Sequence, residues 1–480
     1  MIFIILVISF FVLSSILLIK SIDLMNLITI AFAFVITLCG IVTLSINTLP
    51  LFYFKNKFLF LDAFGLYEII IAGIIFFLCA IYAKGYVQSL IEAKKLDPEN
   101  VKFFYFIFNL LLVNLVMIFS SNNLALLWIF AELSTVISAI LIVILNSKDN
   151  IRPAIKYIFI TSTGMLFSFI GIIFLFAACK QGLGIETLNW DILLKNATLL
   201  PPQLLTFSFV LIFIGFAAKS GIVPFHNWLP HAHSKAPSDV SAILSGCVLN
   251  VGIYAIVRFY ALTTASNAAL FVSHFILIFG LITIAVAAFS MLIRTNLKKL
   301  IAYSSIENMG FILVGIAIGN IFWVFYYVLA HSLAKTLLFL SAGIMNRQYG
   351  NVKKESLHDL FKLQPLATWS LIIGAIAVTG MPLFPLFTAK FFILKELASY
   401  SLPILFLVLV LFLIVASSFI CYFSDIIQNN NKKDLPRFVA PLSMKLPIIL
   451  LIIGLFFLGV YAPNFLTSTL DKVTICLKIK

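Results

Sequence analysis

The feature that most constrains this chain is a nearly unbroken series of apolar stretches that runs from Ile2 to Val460. Each stretch has about 20 residues, which is the length of helix that crosses the hydrocarbon core of a bilayer. Of the 480 residues, 62% are hydrophobic and only 10% are charged, whereas soluble globular domains have roughly 25% charged residues. We therefore expect an integral membrane protein, because no soluble core could bury this much apolar surface.

The apolar stretches predict fourteen membrane spans, bounded by charged residues or by clusters of Pro, Gly and Asn. The first stretch lacks the basic start and the small-residue cleavage site of a signal peptide, so it is interpreted as a span. The predicted spans are residues 2–19, 27–46, 64–83, 103–119, 124–145, 155–178, 204–229, 240–260, 270–293, 300–318, 322–345, 366–394, 404–426 and 446–460.

The distribution of basic residues predicts the orientation of the chain, because Lys and Arg accumulate in cytoplasmic loops. With fourteen spans, twenty basic residues follow odd-numbered spans and nine lie on the opposite side. We therefore expect a multi-pass protein of the cell inner (plasma) membrane with both termini on the outer side. This distribution accounts for the net charge of +14 without a nucleic-acid partner.

Two predicted spans contain internal helix breakers. The seventh contains Gly221 and Pro224, and the twelfth contains Gly380 and Pro385. Broken helices at corresponding places in two halves are typical of transporters built from inverted repeats, with binding sites near the middle of the membrane. The two broken spans lie five spans apart, so the predicted fold is all-α, with about 14 transmembrane helices in two inverted five-helix repeats.

These repeats divide the chain into four predicted segments. Residues 1–100 hold helices 1–3, and residues 101–262 form the first inverted repeat with helices 4–8. Residues 263–428 form the second inverted repeat with helices 9–13. The last helix and the tail occupy residues 429–480.

Charged side chains inside predicted spans are functional candidates, because a charge at the bilayer centre costs on the order of 2.5–3.5 kcal/mol. The alternative is that they form structural ion pairs or extend to water from span ends. Lys219 and Lys390 flank the two breaks, which favours function, whereas Glu307, about two turns from the cytoplasmic edge, fits either interpretation. The candidates for ion translocation are Glu132 in LWIFAELST, Lys219 in FIGFAAKSG, Glu307 in AYSSIENMG, His331 and Lys335 in YYVLAHSLAKTLLF, and Lys390 in PLFTAKFFILK.

The spacing of these side chains favours proton transfer. His331 and Lys335 are four residues apart, so they lie on one helix face, where a proton could pass between them through water. A buried lysine holds its proton less tightly than an exposed one, and a nearby carboxylate restores that hold. Movement of a carboxylate would thus switch a lysine between holding and releasing a proton. Glu132 and Lys219 are expected to be in direct or water-bridged contact.

The stretch PFHNWLPHAHSKAPSD contains His226, His231, His233 and Asp239, which are residue types that bind metals. Their spacing matches no closed zinc pattern, and a polar link between two membrane helices needs hydrogen-bonding side chains in any case. We interpret His226 and His233 as possible channel-lining residues. No metal or cofactor is expected, because the six Cys are scattered and neither a phosphate-binding loop nor a dinucleotide fingerprint occurs.

Four long motifs carry a resemblance to a known family. They are AELST, KSGIVPFHNWLPHAHSKAPSDVSAILSG, LKKLIAYSSIENMGF and HSLAKTLLFLSAG. Together they resemble the proton-translocating, antiporter-like subunits, a family that includes large membrane subunits of complex I, Mrp-type sodium/proton antiporters and membrane arms of energy-converting nickel-iron hydrogenases. The resemblance covers roughly residues 62–395.

The resemblance implies roles for individual residues. Glu132 matches the carboxylate of the family's fifth helix, and Lys219 matches the lysine of its broken seventh helix. His331 and Lys335 match the central relay, and Lys390 matches the ionisable residue of the broken twelfth helix. The family also has fourteen core helices in two inverted repeats.

Several positions depart from the common family pattern. Asn250 and Ser245 stand on the eighth helix, where many complex I subunits have Lys or His, and YSSIEN replaces YSSISH or YSTMSQ. Both features are similar to hydrogenase-4-type membrane subunits. Without the eighth-helix base, transfer from Lys219 to Lys335 would need water or polar side chains. His231 replaces the usual acidic residue after WLP, so the resemblance assigns no role to that position.

The leading hypothesis is an ion-translocating subunit for protons or sodium ions in a redox-driven complex. That complex would be a group 4 membrane-bound hydrogenase, a formate hydrogenlyase or a complex I-like NADH/quinone oxidoreductase, with other membrane subunits and a peripheral redox arm as partners. The alternative is a subunit of an Mrp-type cation/proton antiporter that is powered by ion gradients alone. The chain is not expected to be the redox subunit itself, since it has no cofactor ligands, and its central charges argue against a passive scaffold.

Overall fold

Helices make up most of the computed structural model, which describes residues 2–45, 49–53, 56–145, 147–266, 269–429, 435–477 and 479. The end of the second predicted span, Ile46, lies outside these residues. Five of the basic residues counted for the orientation also lie outside them, namely Lys55, Lys432, Lys433, Lys478 and Lys480.

The helices follow one another with short connections. In the first half of the described chain they are α1 (Ile2–Leu18), α2 (Ile22–Ser45), α3 (Ala63–Glu92), α4 (Pro98–Phe119), α5 (Leu124–Val143), α6 (Ile151–Leu183), α7 (Trp190–Lys195), α8 (Pro202–Ser220), α9 (Leu229–Lys235), α10 (Ser238–Ile243) and α11 (Leu249–Thr264). In the second half they are α12 (Ala269–Leu292), α13 (Leu297–Ala317), α14 (Ile321–Tyr349), α15 (Leu360–Leu363), α16 (Pro365–Thr379), α17 (Pro385–Tyr400), α18 (Leu402–Ile427), α19 (Leu442–Val460) and α20 (Asn464–Leu477).

Shorter elements connect the helices. A two-stranded antiparallel hairpin, β1 (Leu51–Tyr53) and β2 (Leu59–Leu61), precedes α3, so the prediction of an all-α chain misses this small sheet. A π-helical turn, Leu244–Val248, joins α10 to α11. The 3₁₀ turns are Lys148–Asn150, Ala197–Leu199, Phe225–Trp228 and Lys354–Ser356.

Within the described ranges, twelve helical segments are long and apolar enough to cross a membrane. The expectation of a helical membrane protein is thereby confirmed. Helices α1 and α16 are apolar but shorter, so the predicted number of fourteen spans depends on whether they also cross. Helix α20 follows the last predicted span and was not predicted.

The structure contains both predicted helix breaks. Helix α8 ends at Ser220, and Gly221 follows with a φ of 69°, a left-handed conformation that glycine adopts at little cost. Helix α16 ends at Thr379, and Gly380 follows with a φ of 83°. Gly221 ends α8, which carries the buried Lys219. Gly380 ends α16, and the buried Lys390 side chain donates to the Val378 carbonyl oxygen near this end.

The centre of the bundle is formed by α14 and by the segment of α10 and α11, whose most apolar windows are completely buried. Helix α14 contacts α3, α10, α13, α16, α17 and α19. By contrast, α18 and α19 expose many Leu, Ile and Phe side chains, as lipid-facing helices do. Polar groups on α14 therefore lie far from the lipid-facing surface.

Two basic residues that the orientation count places in a loop or near a span end, Arg258 and Lys298, are buried. The guanidinium of Arg258, on α11, forms two hydrogen bonds with Asp62, from Nη1 to Oδ2 at 2.6 Å and from Nη2 to Oδ1 at 2.7 Å. It lies 4.3 Å from the ring centre of Trp190. The Lys298 ammonium donates to the Ala236 carbonyl oxygen at 2.9 Å. The loop position is wrong for Lys298, and Arg258, near the end of the eighth predicted span, is buried as well, because both helix ends pack inside the bundle.

Removing one partner of the Arg258–Asp62 pair should strongly lower stability. In Asp62→Ala the guanidinium stays buried without its anion, and removing one partner of a buried pair costs about 3–5 kcal/mol. Thermal unfolding of the purified protein should show this loss. Glu186→Ala, which breaks the exposed pair with Lys180, is the control and should change little. Equal effects of the two substitutions would contradict the prediction.

Candidate functional site

Lys219 lies in the last turn of α8, directly before the first break, and is fully buried. Its ammonium donates to the Ala131 carbonyl oxygen at 2.9 Å and to the Thr135 hydroxyl at 2.6 Å, both on α5. These acceptors are neutral dipoles. Lys219 is therefore hydrogen-bonded without being paired to an anion.

Glu132 lies on the same helix as the two acceptors of Lys219. Its Oε1 accepts a hydrogen bond from the Ser162 hydroxyl on α6, and its buried Oε2 has no partner among the described residues. Glu132 and Lys219 form no ion pair within the 4.0 Å limit for such pairs, so the expected contact is not direct. The carboxylate bonds to α6 instead, and its free oxygen is available for a water-mediated link.

His331 and Lys335 lie on the central helix α14, and both are fully buried. The Lys335 ammonium donates to the Ile301 carbonyl oxygen at 3.1 Å and to the Ser304 hydroxyl, both on α13. Neither ring nitrogen of His331 has a hydrogen-bond partner in the described structure. The imidazole is thus free to exchange hydrogen bonds with a passing water.

Glu307 and Lys390 form a buried ion pair, with 3.6 Å between the lysine nitrogen and Oε1 of the carboxylate. Lys390 also donates to the Val378 carbonyl oxygen at 3.2 Å, where α16 ends, and its nitrogen lies 4.2 Å from the ring centre of Phe412. Glu307 is completely buried. The alternative of a span-end residue that reaches water is therefore wrong, because α13 carries Glu307 into the bundle.

The segment of α10 and α11, which corresponds to the eighth predicted span, meets α13 and α14 through small polar side chains. The Ser245 hydroxyl, in the π-helical turn, lies 2.9 Å from the Ser305 hydroxyl of α13. The Asn250 amide nitrogen lies 3.2 Å from the Ser332 hydroxyl and 3.3 Å from a carboxylate oxygen of Glu68 on α3. Ser245 and Asn250 belong to the eighth predicted span, residues 240–260, which contains neither Lys nor His.

The histidines of the polar link do not come together. His226 is half-buried, with its ring centre 6.3 Å from that of Tyr303, whereas His233 is buried and stacks on Phe339 of α14 at 4.6 Å. His231 is half-buried as well. Throughout the described residues, no group of three or more His, Cys, Asp and Glu side chains is placed to hold a metal ion. The arrangement offers no ligand set for the metal alternative.

The sequence-based search missed Glu68 and Lys298. Both are buried, and Glu68 lies inside the third predicted span, so the rule applied to Glu132 would have identified it. Lys298 was assigned to a loop because it is next to Lys299 at a span end. The free Oδ2 of Asp239 lies within electrostatic range of Lys298.

The ionisable groups form two clusters with a polar connection. One cluster contains Glu132 and Lys219. The other contains Lys335, Glu307 and Lys390, with Glu307 in electrostatic range of both lysines. The hydroxyl and amide side chains of Ser245, Ser305, Asn250 and Ser332 form the polar connection.

Comparison with known proteins gives a consistent picture. The family model described as "NADH:quinone oxidoreductase/Mrp antiporter, TM" matches residues 121–415. The "Hydrogenase-4 component F homolog" of Methylacidiphilum infernorum is 29% identical over 430 residues, which cover 88% of this chain and 89% of that protein. A Na(+)/H(+) antiporter subunit of Alkalihalophilus pseudofirmus is 28% identical over 334 residues, which cover 69% of this chain and 65% of that protein.

A solved structure has a similar fold. A chain of the membrane-bound sulfane sulfur reductase, an archaeal respiratory membrane complex, superimposes with a TM-score of 0.86. The match covers 99% of this chain and 96% of that chain at 23% sequence identity. At this identity the likeness concerns the fold alone.

Proposed function

Because the chain belongs to the NADH:quinone oxidoreductase/Mrp antiporter transmembrane family, we propose that it translocates protons or sodium ions as a membrane subunit of a redox-driven complex. A complex of the group 4 hydrogenase, formate hydrogenlyase or complex I type fits best. The observation that carries this proposal is the presence of three buried lysines, Lys219, Lys335 and Lys390, in the interior of the bundle. Burying a charged side chain in the membrane is energetically costly, so these lysines are candidates for a functional role.

The architecture that goes with this function has fourteen transmembrane helices, with α1 and α16 included. Residues 101–262 and 263–428 are the two inverted five-helix repeats, preceded by residues 1–100 and followed by residues 429–480. The placement of one lysine beside each break supports this division, since Lys219 precedes Gly221 and the Lys390 side chain reaches the end of α16 near Gly380. Broken helices of this kind line binding sites near the membrane midplane.

The mechanism starts from the hydrogen bonds of the three lysines. Lys219 and Lys335 donate hydrogen bonds only to neutral acceptors, so release of a proton from either one breaks no direct ion pair. Lys390 is held by Glu307, so separation of this pair favours proton release. Conformational changes in the redox partner would move the segments beside the breaks and thus drive release in sequence.

The remaining candidates serve as lining and relay. His331 accepts or donates a proton next to Lys335, and His226, His233, Asn250 and Ser245 hydrogen-bond to water along the route. His233, Asn250 and Ser245 are buried against α13 or α14, which supports this role. His226 is half-buried and lies beside Tyr303 of α13. Glu132 tunes Lys219 through a water bridge from its free Oε2.

The second candidate function is that of an Mrp-type cation/proton antiporter subunit. The similarity to the Na(+)/H(+) antiporter protein of Alkalihalophilus pseudofirmus favours it specifically. The hydrogenase-4 relative matches a larger part of the chain, 88% against 69%, which favours the redox-driven complex.

The experiment that separates the two is affinity purification of the tagged chain from its native membranes in a mild detergent. Our proposal expects hydrogenase or quinone-reducing subunits to co-purify, together with other antiporter-like subunits. Co-purification of ion-antiporter subunits alone, without any redox-active partner, would favour the alternative function.

The proposed orientation places both termini outside the cell inner membrane and the loop with Lys353 and Lys354 in the cytoplasm. In a background without the six native cysteines, Lys195→Cys should react with a membrane-impermeant maleimide in intact cells. Lys353→Cys should react only after the cells are opened. Reaction of Lys353→Cys in intact cells would contradict this orientation.

A further inference from the structure

Glu68 is a buried carboxyl group that has no assigned role. It lies in the second turn of α3 and is 1% exposed. Its Oε2 accepts a hydrogen bond from the Asn250 amide at 3.3 Å, and its Oε1 has no partner among the described residues. No described Lys, Arg or His lies within the 4.0 Å limit for an ion pair with it. A permanently ionised carboxylate would be very costly here, because burying a charge without a partner is penalised strongly.

Glu68 lies beside the start of α11, which contacts both α8, the helix that carries Lys219, and the central helix α14. Asn250 donates to Glu68 and also lies 3.2 Å from the hydroxyl of Ser332, which is the neighbour of His331 on α14. The Ser332 hydroxyl in turn donates to the Gly246 carbonyl oxygen at 2.7 Å. Hydrogen-bonding groups thus run from Glu68 on α3 through Asn250 on α11 to Ser332 on α14, the residue next to His331.

The backbone next to Glu68 is irregular on the facing helix. Residues Leu244–Val248 form a π-helical turn, and such turns inside α-helices occur frequently at functional sites. The titratable groups that face Glu68 are the Tyr67 hydroxyl on its own helix and the Cys247 thiol in the π-helical turn. Neither is a cation that would fix the carboxyl group in its ionised form.

Asn250 cannot perform the proton transfer itself, because an amide side chain donates and accepts hydrogen bonds without titrating. A titratable group beside it provides a place where a proton can be held on its way between the clusters. Glu68 is the carboxyl group that contacts Asn250, and its free Oε1 can meet a water molecule.

We propose that Glu68 carries protons between the Lys219 cluster and the Lys335 cluster. Its carboxylate takes up a proton that Lys219 has released to water, and becomes a carboxylic acid. It then gives the proton to the His331 and Lys335 group through water and returns to the carboxylate. No oxidant or other reactant is consumed. This inference rests on the proposed translocation function and adds a residue to it.

A purely structural role for Glu68 makes a different prediction. Glu68→Gln keeps the side-chain size and an oxygen that can accept the hydrogen bond from Asn250, so a structural tie would survive. It removes only the ability to take up and release a proton. Ion uptake by liposomes that contain the purified whole complex should fall about 100-fold, at the lower end of the effect of a positioned proton-transfer group. The yield of assembled complex should stay unchanged.

Two further variants complete the test. Glu68→Asp restores a carboxyl group and should recover a substantial part of the uptake, whereas Glu186→Gln makes the same chemical change at an exposed site and should have no effect. If Glu68→Gln fails to assemble, the infrared carboxyl band is compared during turnover between wild type and Glu68→Asp. A change in that band supports proton uptake by Glu68, and identical spectra would overturn it.

Lys335→Met in the same assay separates this inference from the proposed function. Loss of uptake in Lys335→Met with full uptake in Glu68→Gln would overturn the role of Glu68 and leave the proposed function intact. Full uptake in both variants would overturn the proposed function and the inference together. Loss in both, with recovery in Glu68→Asp, is the result that we expect.

Discussion

The double variant Glu307→Gln/Lys390→Met is expected to stop ion translocation while the complex still assembles. The two side chains form a buried pair with 3.6 Å between the charged groups. Replacing both by neutral groups of similar size leaves no unpaired charge in the interior, and such replacements of buried pairs are often neutral for stability. Translocation should fall about 100-fold, because a positioned proton-transfer group is lost.

Single substitutions of Lys390 refine this expectation. Lys390→Ala leaves the Glu307 carboxylate buried without its cation, so both translocation and assembly should decrease. Lys390→Arg keeps the charge and should allow assembly, but arginine retains its proton at any working pH and should not support translocation.

Lys395→Ala is the matched control for these variants, because Lys395 is an exposed lysine on the same helix, α17. It should leave both ion uptake and complex yield at the wild-type level. Full ion uptake by Lys390→Arg in reconstituted liposomes would rule out a role for Lys390 in binding and releasing protons. The pair with Glu307 would then be purely structural.

Lys219→Ala is expected to have an effect of similar size, about 100-fold on translocation. It removes the ammonium that donates to Thr135 and to the Ala131 carbonyl oxygen. Thr135→Val should cause a smaller decrease, roughly tenfold, because a hydrogen bond to a charged group contributes about 1.5–3 kcal/mol. Ion uptake and complex yield are measured for each variant.

A double-mutant cycle tests whether Glu132 acts through Lys219. Glu132→Gln alone should reduce uptake, but in the Lys219→Ala background it should have little further effect, because its target is gone. Residues that interact typically show a coupling free energy of about 0.5–3 kcal/mol in such a cycle. For independent sites the effects of the two substitutions add within about 0.3–0.5 kcal/mol. Fully multiplicative losses of uptake would show that the two residues act independently.

Much of this fold could be predicted from hydrophobicity and helix breakers. The breaks at Gly221 and Gly380 follow from local backbone chemistry, since glycine tolerates the left-handed conformation that ends each helix. The burial of Lys219 and Lys335 follows from their position in the middle of long apolar stretches. These properties depend on residues that are near one another in the chain.

The partners of the charged groups could not be predicted in the same way. Arg258 pairs with Asp62, which is 196 positions away. Glu307 pairs with Lys390, and α14, α15 and α16 lie between them in the chain. Which faces meet depends on the packing of the whole bundle and not on any local pattern. Lys298 was wrongly placed in a loop for a related reason. A basic side chain at a span end can enter either the bundle or the loop, and in Lys298 it enters the bundle. The amphipathic helix α20 was too polar for a search based on apolar length.

The central claim is that the buried lysines carry ions across the membrane. The most direct test measures ion uptake per electron transferred by the purified whole complex in sealed liposomes, for wild type and for Lys335→Met. Lys335 is fully buried and hydrogen-bonded only to neutral groups, so methionine fits its space without stranding an opposite charge. The account predicts clear uptake by the wild type and a strongly reduced ratio for Lys335→Met. An unchanged ratio in the variant would contradict it.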